Sequence, residues 1–234
     1  MDEADHPRRV RFDRRALLTL AGAGLAGWAG GRVLSRSVPI GRDVSASGAV
    51  AAILDDDGTP TSGPAAAGLR LAVFSDYRCP ACRQAFPALE AALAADGDVR
   101  VLYKDWPIFG APSERAAQVA LASAAQGIYA QVHRRLMTAP GTFDQRMLRD
   151  AVRRAGGDWA RLLVDLAAGR ERIAAQLRRH AADAQAIALP GTPGYLAGPL
   201  LVLGAIDTAD FARLFARARA MTTAAKSTEA ATGS

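Results

Sequence analysis

The chain has 234 residues, of which 50% are hydrophobic and only 6% aromatic, and this Ala-rich composition favours helices over a β-sandwich. The formal net charge of +6 is spread over helix-like segments, without the aromatic and basic interleaving or the motifs that are typical of nucleic-acid binding. The composition therefore disfavours a nucleic-acid partner and favours one well-packed domain with additional segments.

The N-terminus begins with a basic segment that precedes an uncharged run over residues 16–31. This order is typical of an export signal, and Arg14-Arg15 resembles a twin-arginine signal, although Asp13 stands where that pattern usually has Ser or Thr. The run is shorter than the about 20 residues that span a membrane, and no convincing cleavage site follows it. We therefore predict that residues 1–36 are an export signal or a membrane anchor, with a buried N-terminal helix as the alternative. The predicted location is extracytoplasmic, in the periplasm or cell envelope, where disulfides can form.

The next segment, residues 37–68, is rich in polar residues, Pro and Gly, which is typical of a linker. Residues 49–54 within it are predicted to form a short N-terminal strand. The first strong element follows at residues 69–75, where LRLAVFS is a short apolar run that fits a buried strand.

A helix and a second strand follow this apolar run. Residues 83–96 carry apolar side chains at helical spacing, and Gly97 is predicted to end the helix. Residues 98–106 alternate in the manner of a strand. The order strand, helix, strand implies a parallel pair joined by a crossover helix, so residues 69–112 are predicted to form the first part of an α/β core.

A long Ala-rich block separates this first part from the rest of the core. Residues 113–188 are predicted to form several helices separated by Gly and Pro, and we interpret them as an inserted helical subdomain. Residues 189–221 contain two predicted short strands and a final amphipathic helix, which supply the second part of the core. Residues 222–234 are low in complexity and are predicted to be a disordered tail.

The chain has only two cysteines, Cys79 and Cys82, within the sequence SDYRCPACRQAF. A zinc site usually takes four ligands, but the chain has no second cysteine pair and its three histidines lack the spacing of ligands. We therefore predict no metal site. An inert disulfide or two buried thiols are the structural alternative, although a disulfide that closes so small a loop adds little stability.

A redox role explains more of the surrounding sequence. Cys79 follows a strand and starts a helix, where free N–H groups and the helix dipole stabilise a thiolate, and Pro80 suits the first helical turn. Because Cys82 lies about one turn further along, Cys79 is predicted to be an exposed nucleophile and Cys82 the resolving thiol. A C-x-x-C motif within a strand-helix-strand pattern is a thioredoxin-like signal.

Four segments of the chain resemble, in the same order, the DsbA-like thioredoxin-fold proteins of bacterial envelopes: FSDYRCPACRQ, YKDWPIFGAPSERAA, QGIYAQVHRRLM and GTPGYLAGPLLVLGAID. The resemblance covers about residues 69–221. It implies an α/β fold with a thioredoxin-like core and an inserted helical subdomain, in agreement with the elements predicted above. It also implies exchange of dithiols and disulfides with client proteins, without a separate cofactor.

The resemblance also assigns residues outside the cysteine motif to the site. Thr192-Pro193 matches the loop in which a cis-proline faces the cysteine pair, where the residue before the proline contacts the client backbone. An ordinary trans turn is the alternative. Lys104 resembles a family lysine and is a candidate neighbour of the pair, with a solvated strand lysine as the alternative. Asp76, three residues before Cys79, is interpreted as a loop or capping residue.

Two positions depart from the family pattern. Val73 stands where relatives usually place a buried acid that helps to move the proton of the inner thiol, so we predict a slow or unusual proton-transfer step. Ala81 stands where strong oxidants of the family commonly have His, and Ala offers no donor to a thiolate. We therefore predict a pair that is less oxidising than the strongest members of the family.

These features together predict an exported or membrane-anchored thiol–disulfide oxidoreductase. Its predicted role is to form disulfides in exported proteins that contain cysteines, with re-oxidation by a membrane quinone-linked partner, as the resemblance implies. The alternatives are a reductase or isomerase that is kept reduced, and a binding or chaperone module without turnover. The sequence leaves the direction of electron flow open.

Overall fold

The computed structural model describes residues 39–232, so the predicted signal or anchor lies outside the described residues. Within this range the chain forms one six-stranded sheet and eight α-helices. The strands are β1 (Arg42–Asp43), β2 (Thr61–Ser62), β3 (Leu69–Ser75), β4 (Val99–Asp105), β5 (Gly194–Ala197) and β6 (Leu200–Leu203). The helices are α1 (Ala49–Leu54), α2 (Pro80–Asp96), α3 (Ala111–Ser123), α4 (Tyr129–Thr138), α5 (Gln145–Arg154), α6 (Trp159–Ala168), α7 (Arg170–Ala186) and α8 (Thr208–Thr232).

The sheet is mixed, with the strand order β1-β6-β5-β3-β4-β2. β3 and β4 are parallel, in register from Leu69 opposite Val99 to Ser75 opposite Asp105. The other neighbouring strands are antiparallel. Helix α2 connects the two parallel strands, which confirms the predicted order of strand, helix and strand. The carboxyl ends of β3 and β4 therefore lie side by side, and the chain passes from β3 directly into the cysteine loop.

Side chains of the central strands alternate between two hydrophobic layers, because successive residues of a strand point to opposite faces. Val73 and Tyr103 belong to the larger layer, which also holds both cysteines and side chains of α2, α8 and the helical insert. Phe74 and Leu102 belong to the smaller layer, together with side chains of α1 and α7. Full burial of a side chain such as Phe74 stabilises the fold by roughly 1.5–3 kcal/mol.

Helices α3–α7 lie between β4 and β5 in the chain and form the helical insert. A 3-10 turn at Ala124–Gln126, followed by Gly127 with a φ of 71°, separates α3 from α4. Asp144 and Asp158 begin α5 and α6, because each carboxylate accepts hydrogen bonds from N–H groups of the following turn. The first helix of the insert, α3, begins at Ala111, slightly before the predicted boundary at residue 113.

Two predictions about the edges of the fold are wrong. Residues Ala49–Leu54, predicted as a strand, form α1, and the strands of this linker are instead the short β1 and β2. Ile53 and Leu54 are buried in the smaller layer, and so short an apolar run does not distinguish a strand from a helix. The predicted disordered tail is helical, because α8 continues from Thr208 through Thr232. The tail is rich in Ala and has no Gly or Pro before Gly233, so a helix that is packed over its first turns propagates through it.

The membrane prediction concerns a part of the chain that the structure does not describe. Between residues 39 and 232, no helix has both the length and the apolar character needed to cross a bilayer. The apolar run over residues 16–31 lies outside this range. Anchoring and export therefore stay predictions.

Candidate active site

The two cysteines meet at the start of α2. Cys79 is the N-cap residue and has extended backbone geometry, and Pro80 is the first residue of the helix. The backbone N–H of Cys82 donates a hydrogen bond to the Cys79 sulfur over 3.2 Å. Both residues are free thiols in this structure. Cys79 thus lies at the helix terminus as predicted, where N–H groups without a helical partner stabilise a negative sulfur.

The two thiols have opposite pKa shifts. Hydrogen bonding to the Cys82 side chain is the largest cause of the lowered pKa of Cys79, and contacts with Thr192 and the backbone of Ala81 help to bring it to about 6. The same contact with Cys79, together with burial, raises the pKa of Cys82 well above its usual value. At neutral pH Cys79 is therefore mainly a thiolate, whereas Cys82 keeps its proton. The pair holds one nucleophile and one proton donor side by side.

The Thr192-Pro193 loop lies against the cysteine pair. Its peptide bond is cis, and the Cys79 sulfur lies 3.4 Å from the Thr192 carbonyl oxygen. Only 2% of Cys79 is exposed. The prediction of an exposed nucleophile is therefore wrong for this structure, because the loop and the helix terminus enclose the sulfur between them.

Asp76 organises the loop that precedes the cysteines. Its carboxylate accepts four hydrogen bonds of 2.7–3.0 Å, from the N–H groups of Arg78, Ile108 and Phe109 and from the Ser113 hydroxyl. Its carbonyl oxygen also accepts a hydrogen bond from the N–H of Cys79. These contacts connect the cysteine loop to the segment after β4 and to α3. Asp76 is therefore a loop residue, as interpreted from the sequence.

Apolar side chains occupy both positions that depart from the family pattern. Val73 is buried in β3, in register with Tyr103 on one side and Tyr195 on the other. Ala81 contributes a backbone N–H to the stabilisation of Cys79. The sequence motifs did not indicate Tyr195, whose pKa is raised by burial and then by the neighbouring sulfurs of Cys82 and Cys79. Tyr195 lies two residues after Pro193, so extending the Thr192-Pro193 match along the following strand would have indicated it.

Lys104 is not a neighbour of the cysteines, and that prediction is wrong. Its side chain is fully buried on the face opposite Tyr103, where its Nζ atom forms salt bridges with Asp56 over 2.7 Å and with Asp183 over 2.9 Å. The alternative of a solvated lysine is wrong as well. The physical reason is the alternation of β4, which directs adjacent side chains to different layers.

Another group of buried polar side chains lies behind the cysteine loop. The Tyr77 hydroxyl and His133 Nδ1 form a hydrogen bond of 2.9 Å, and the Tyr129 hydroxyl donates to Asp105 over 2.8 Å. Burial raises the pKa of Asp105 to about 7 and lowers the pKa of His133 to about 3. These residues come from three separate segments, so no local motif in the sequence indicates that they meet.

The thioredoxin-like core, the inserted helices and the paired thiols define a thiol–disulfide oxidoreductase. The sequence profile of the DSBA-like thioredoxin domain matches residues 70–216. This match covers more than half of the chain, and the chain belongs to the DSBA-like thioredoxin domain family. Proteins of this family act on client proteins that contain cysteines.

Solved structures of similar proteins agree with this assignment. A thioredoxin-like oxidoreductase from Silicibacter pomeroyi has 31% identity and a TM-score of 0.68, and the similarity covers 71% of this chain and 95% of that one. A periplasmic thioredoxin-like protein from Salmonella enterica serovar Typhimurium has 25% identity and a TM-score of 0.65, over 74% and 97% of the two chains. The thiol-disulfide exchange protein alpha-DsbA2 from Wolbachia pipientis has 25% identity and a TM-score of 0.64, over 67% and 84%.

A curated relative is much longer than this chain. The chain is 30% identical over 125 residues to the Na(+)/H(+) antiporter NhaA 3 of Salinispora tropica. The match covers 50% of this chain but only 19% of the antiporter. The chain thus spans about a fifth of the length of that relative, and the similarity concerns only that part.

Proposed function

We propose that this protein is an oxidase of the cell envelope that forms disulfides in exported proteins. A client thiolate attacks the Cys79 sulfur of the oxidised pair, so that a client–Cys79 disulfide forms and Cys82 leaves as a thiolate that takes up a proton. A second client thiolate then attacks the client sulfur of this mixed disulfide and displaces the Cys79 thiolate. The client gains one disulfide, and the protein keeps the two electrons as its reduced pair.

The opposite pKa shifts of the two thiols carry this proposal. A thiol of low pKa is a good leaving group, and a thiolate that is stabilised in the reduced protein makes the oxidised pair a stronger oxidant. The pKa of about 6 for Cys79 meets both conditions at neutral pH. The raised pKa of Cys82 keeps a proton on the resolving thiol and leaves the negative charge on Cys79.

The size of the Cys79 shift also supports an intermediate oxidising strength. The pKa of about 6 lies between about 7 in thioredoxin and about 3.5 in DsbA. We therefore expect a reduction potential between about −270 mV and −120 mV, the values of the same two proteins. Ala81 supports this range, because it stabilises the thiolate through its backbone alone. Equilibration with glutathione buffers measures the potential, and a value at or above −120 mV would contradict the argument.

The Thr192-Pro193 loop is proposed to bind the client backbone. The Thr192 carbonyl oxygen lies 3.4 Å from the Cys79 sulfur, so a chain joined to that sulfur begins beside the loop. An extended peptide can pair there with exposed backbone groups. The client then takes the place of the loop contact that encloses Cys79 in the free protein.

Turnover requires an oxidant but, in this proposal, no bound cofactor, since the redox group is the Cys79–Cys82 pair. We propose a membrane partner that passes the two electrons of the reduced pair to a quinone. The basic and apolar N-terminal sequence, together with the periplasmic relative from Salmonella, supports export, either by a twin-arginine signal or with the segment kept as an anchor.

A refolding assay with a reduced client that has one native disulfide tests the proposal. The pre-oxidised protein should transfer its disulfide to the client at a one-to-one ratio, and the Cys79→Ser variant should transfer none. The redox state of the pair, trapped in cells by rapid alkylation, tests the direction. A pair that is mainly reduced in cells would contradict the oxidase and support a reductase or isomerase. An effect on folding that persists in Cys79→Ser would support a binding or chaperone module.

A further inference from the structure

A cavity of about 520 Å³ opens beside the first turn of α2. It is lined by the cysteine loop and α2 (Arg78, Pro80, Arg83), the start of α3 (Pro112, Arg115) and the loop before α5 (residues 141–144). We call it the arginine pocket, after Arg78, Arg83 and Arg115. Pro80 lines this pocket and directly follows Cys79 in the chain, so the pocket borders the redox site. Its volume suits one or two side chains of a chain joined to the Cys79 sulfur.

The arginine pocket has an excess of positive charge. Its only acidic residue, among the described residues that line it, is Asp144, which is engaged with the N–H of Met147 at the start of α5. None of the three arginines forms a salt bridge with any residue that the structure describes. The nearby carboxylate of Asp76 already accepts four hydrogen bonds. A concave surface of one charge sign attracts ligands of the opposite sign.

The three arginines are held in different ways. Arg83 is fixed, because its guanidinium donates to the carbonyl oxygens of Leu136 and Ala139 and lies 5.6 Å from the centre of the Phe143 ring. Arg78 and Arg115 are exposed. Arg83 therefore forms the wall of the pocket, and the other two arginines supply guanidinium groups at its opening.

Arg78 uses part of its hydrogen-bonding capacity, and Arg115 uses none within residues 39–232. Arg78 donates one hydrogen bond of 2.9 Å to the carbonyl oxygen of Phe109. A guanidinium has five N–H donors in a planar fork that matches a carboxylate. The opening of the pocket thus offers donors that the fold itself does not use.

Stabilisation of the Cys79 thiolate does not explain the arginines. The main groups that lower the pKa of Cys79 are Cys82, Thr192 and the backbone of Ala81, and no arginine is among them. Arg78 connects instead to Phe109, which together with Ile108 forms an exposed apolar edge, 43% and 44% exposed respectively. The positive charge and the apolar edge therefore lie next to each other beside the cysteine loop.

We propose that the arginine pocket selects clients that carry Asp or Glu within a few residues of the reactive cysteine. The client carboxylate binds Arg78 and Arg115 while the client sulfur forms its disulfide with Cys79. An extended chain advances about 3.3 Å per residue, so an acid one to three residues from the cysteine can reach the pocket. The inference rests on the proposed thiol exchange at Cys79 and adds a substrate class to it.

The rate of mixed-disulfide formation tests this selection. Three peptides with a single cysteine, activated as its disulfide with 2-thiopyridine, carry Asp, Asn or Lys at the same flanking positions. The Cys79 thiolate attacks the peptide sulfur and releases pyridine-2-thiolate, which is followed by absorbance. All proteins carry Cys82→Ser, so that the product is trapped and the result does not depend on the direction of electron flow in cells.

The Asp peptide should react about tenfold faster than the Asn peptide, which corresponds to one good charged contact, and the Lys peptide should be the slowest. The preference should shrink in high salt, because exposed charges are screened. It should disappear in Arg78→Gln/Arg115→Gln and reverse in Arg78→Glu/Arg115→Glu. The matched control is Arg153→Gln/Arg178→Gln, which removes the same charge from exposed positions on α5 and α7 and should keep the preference.

A neutral small disulfide, 2-hydroxyethyl 2-pyridyl disulfide, separates this inference from the proposed function. If it reacts normally while all three peptides react at equal rates, or if the control pair loses the preference as fully as the pocket pair, the arginine pocket is not a selectivity site. If neither the small disulfide nor any peptide reacts, the proposed thiol exchange at Cys79 is wrong, and the inference about the arginine pocket is wrong as well.

Discussion

The cysteine pair and the Lys104 cluster lie on opposite faces of one sheet, both near the carboxyl ends of β3 and β4. Both bury polar atoms beside an apolar layer. In the first, Cys79 and Cys82 share one proton between two sulfurs of very different pKa. In the second, the Lys104 ammonium group is matched by the carboxylates of Asp56 and Asp183.

The Lys104 cluster has further polar contacts around its salt bridges. Asp56 accepts a further hydrogen bond of 2.7 Å from the Thr59 hydroxyl, which also contacts His180 Nε2, and His180 Nδ1 donates to the carbonyl oxygen of Asp105. Burial acts to raise the pKa of Asp56, but Lys104 and Thr59 outweigh it and lower that pKa to about 2. Asp56 thus stays ionised at neutral pH, and the salt bridges of Lys104 connect the linker, β4 and α7.

The comparison separates buried polar groups that react from those that stabilise. The Lys104 cluster holds one ammonium group between two carboxylates and no nucleophilic sulfur, so its contacts join segments of the fold and do not take part in thiol exchange. Two like groups that compete for one proton hold a nucleophile and an acid in the same place. Substitutions on each face test whether the cysteine face carries the chemistry and the Lys104 face contributes only to stability.

The largest effect should come from Cys79→Ser. A serine hydroxyl is not ionised at neutral pH and forms no disulfide, so exchange with a client should fall by about a thousandfold or more. Stopped-flow measurement of disulfide transfer checks this, with thermal unfolding as the measure of stability. Cys82→Ser is the matched control and should still form a mixed disulfide, which then accumulates. Equal loss of attack in both variants would contradict the assignment of Cys79 as the nucleophile.

The next largest effect should come from Lys104→Met. The substitution leaves Asp56 and Asp183 facing an apolar side chain, so the free energy of unfolding should fall by about 3 kcal/mol. Urea denaturation measures this loss, while the exchange rate of the folded protein should stay within about twofold. Arg153→Met, at an exposed position, is the control and should change stability by less than about 0.5 kcal/mol. Reduced exchange with unchanged stability would place Lys104 at the active site after all.

The pH profile of alkylation should report the asymmetry of the pair. With the pKa of Cys79 lowered to about 6, its thiolate fraction and its iodoacetamide rate should rise about tenfold from pH 5 to pH 7 and then level off. Cys82 should stay unreactive over the same range, because its pKa is raised. Mass spectrometry after timed quenching assigns each label to its cysteine. A midpoint near pH 8.5 for Cys79 would show that the site does not stabilise the thiolate.

The smallest effect is expected for Val73→Glu. An acid placed in β3 between Tyr103 and Tyr195 should assist proton transfer at Cys82 and change the pH-dependent rates of alkylation by several-fold. Val73→Gln is the matched control, because it has a similar shape and cannot titrate. Identical rates and identical pH profiles in the wild type and both variants would exclude a proton-transfer limit at this position.

The core of the fold and the reactive residues could be predicted because their signals are local. The apolar run at residues 69–75, the Cys79–Cys82 spacing and the helical pattern up to Gly97 are contiguous in the chain, and each became the expected element. The strand predicted at residues 49–54 was wrong because six apolar residues fit either kind of structure.

The candidate site was only partly predictable, because some of its contacts join distant residues. Asp183 lies 79 residues from Lys104, and His133 lies 56 residues from Tyr77, so no local motif indicates either contact. The enclosure of Cys79 by the Thr192 carbonyl depends on the antiparallel pairing of β5 with β3. The arginine pocket likewise combines residues of three segments that are separated in the chain.

The sequence by itself determined the chemistry, since a thiol pair at the start of a helix gives its first cysteine the N–H groups and the helix dipole that stabilise a thiolate. It also determined the class of fold, through the order of apolar strands and helices. Only the tertiary structure decided which charges face the cysteines and which are neutralised behind the sheet. The reason is that pairing depends on which face of a strand a residue occupies and on which distant segment covers that face.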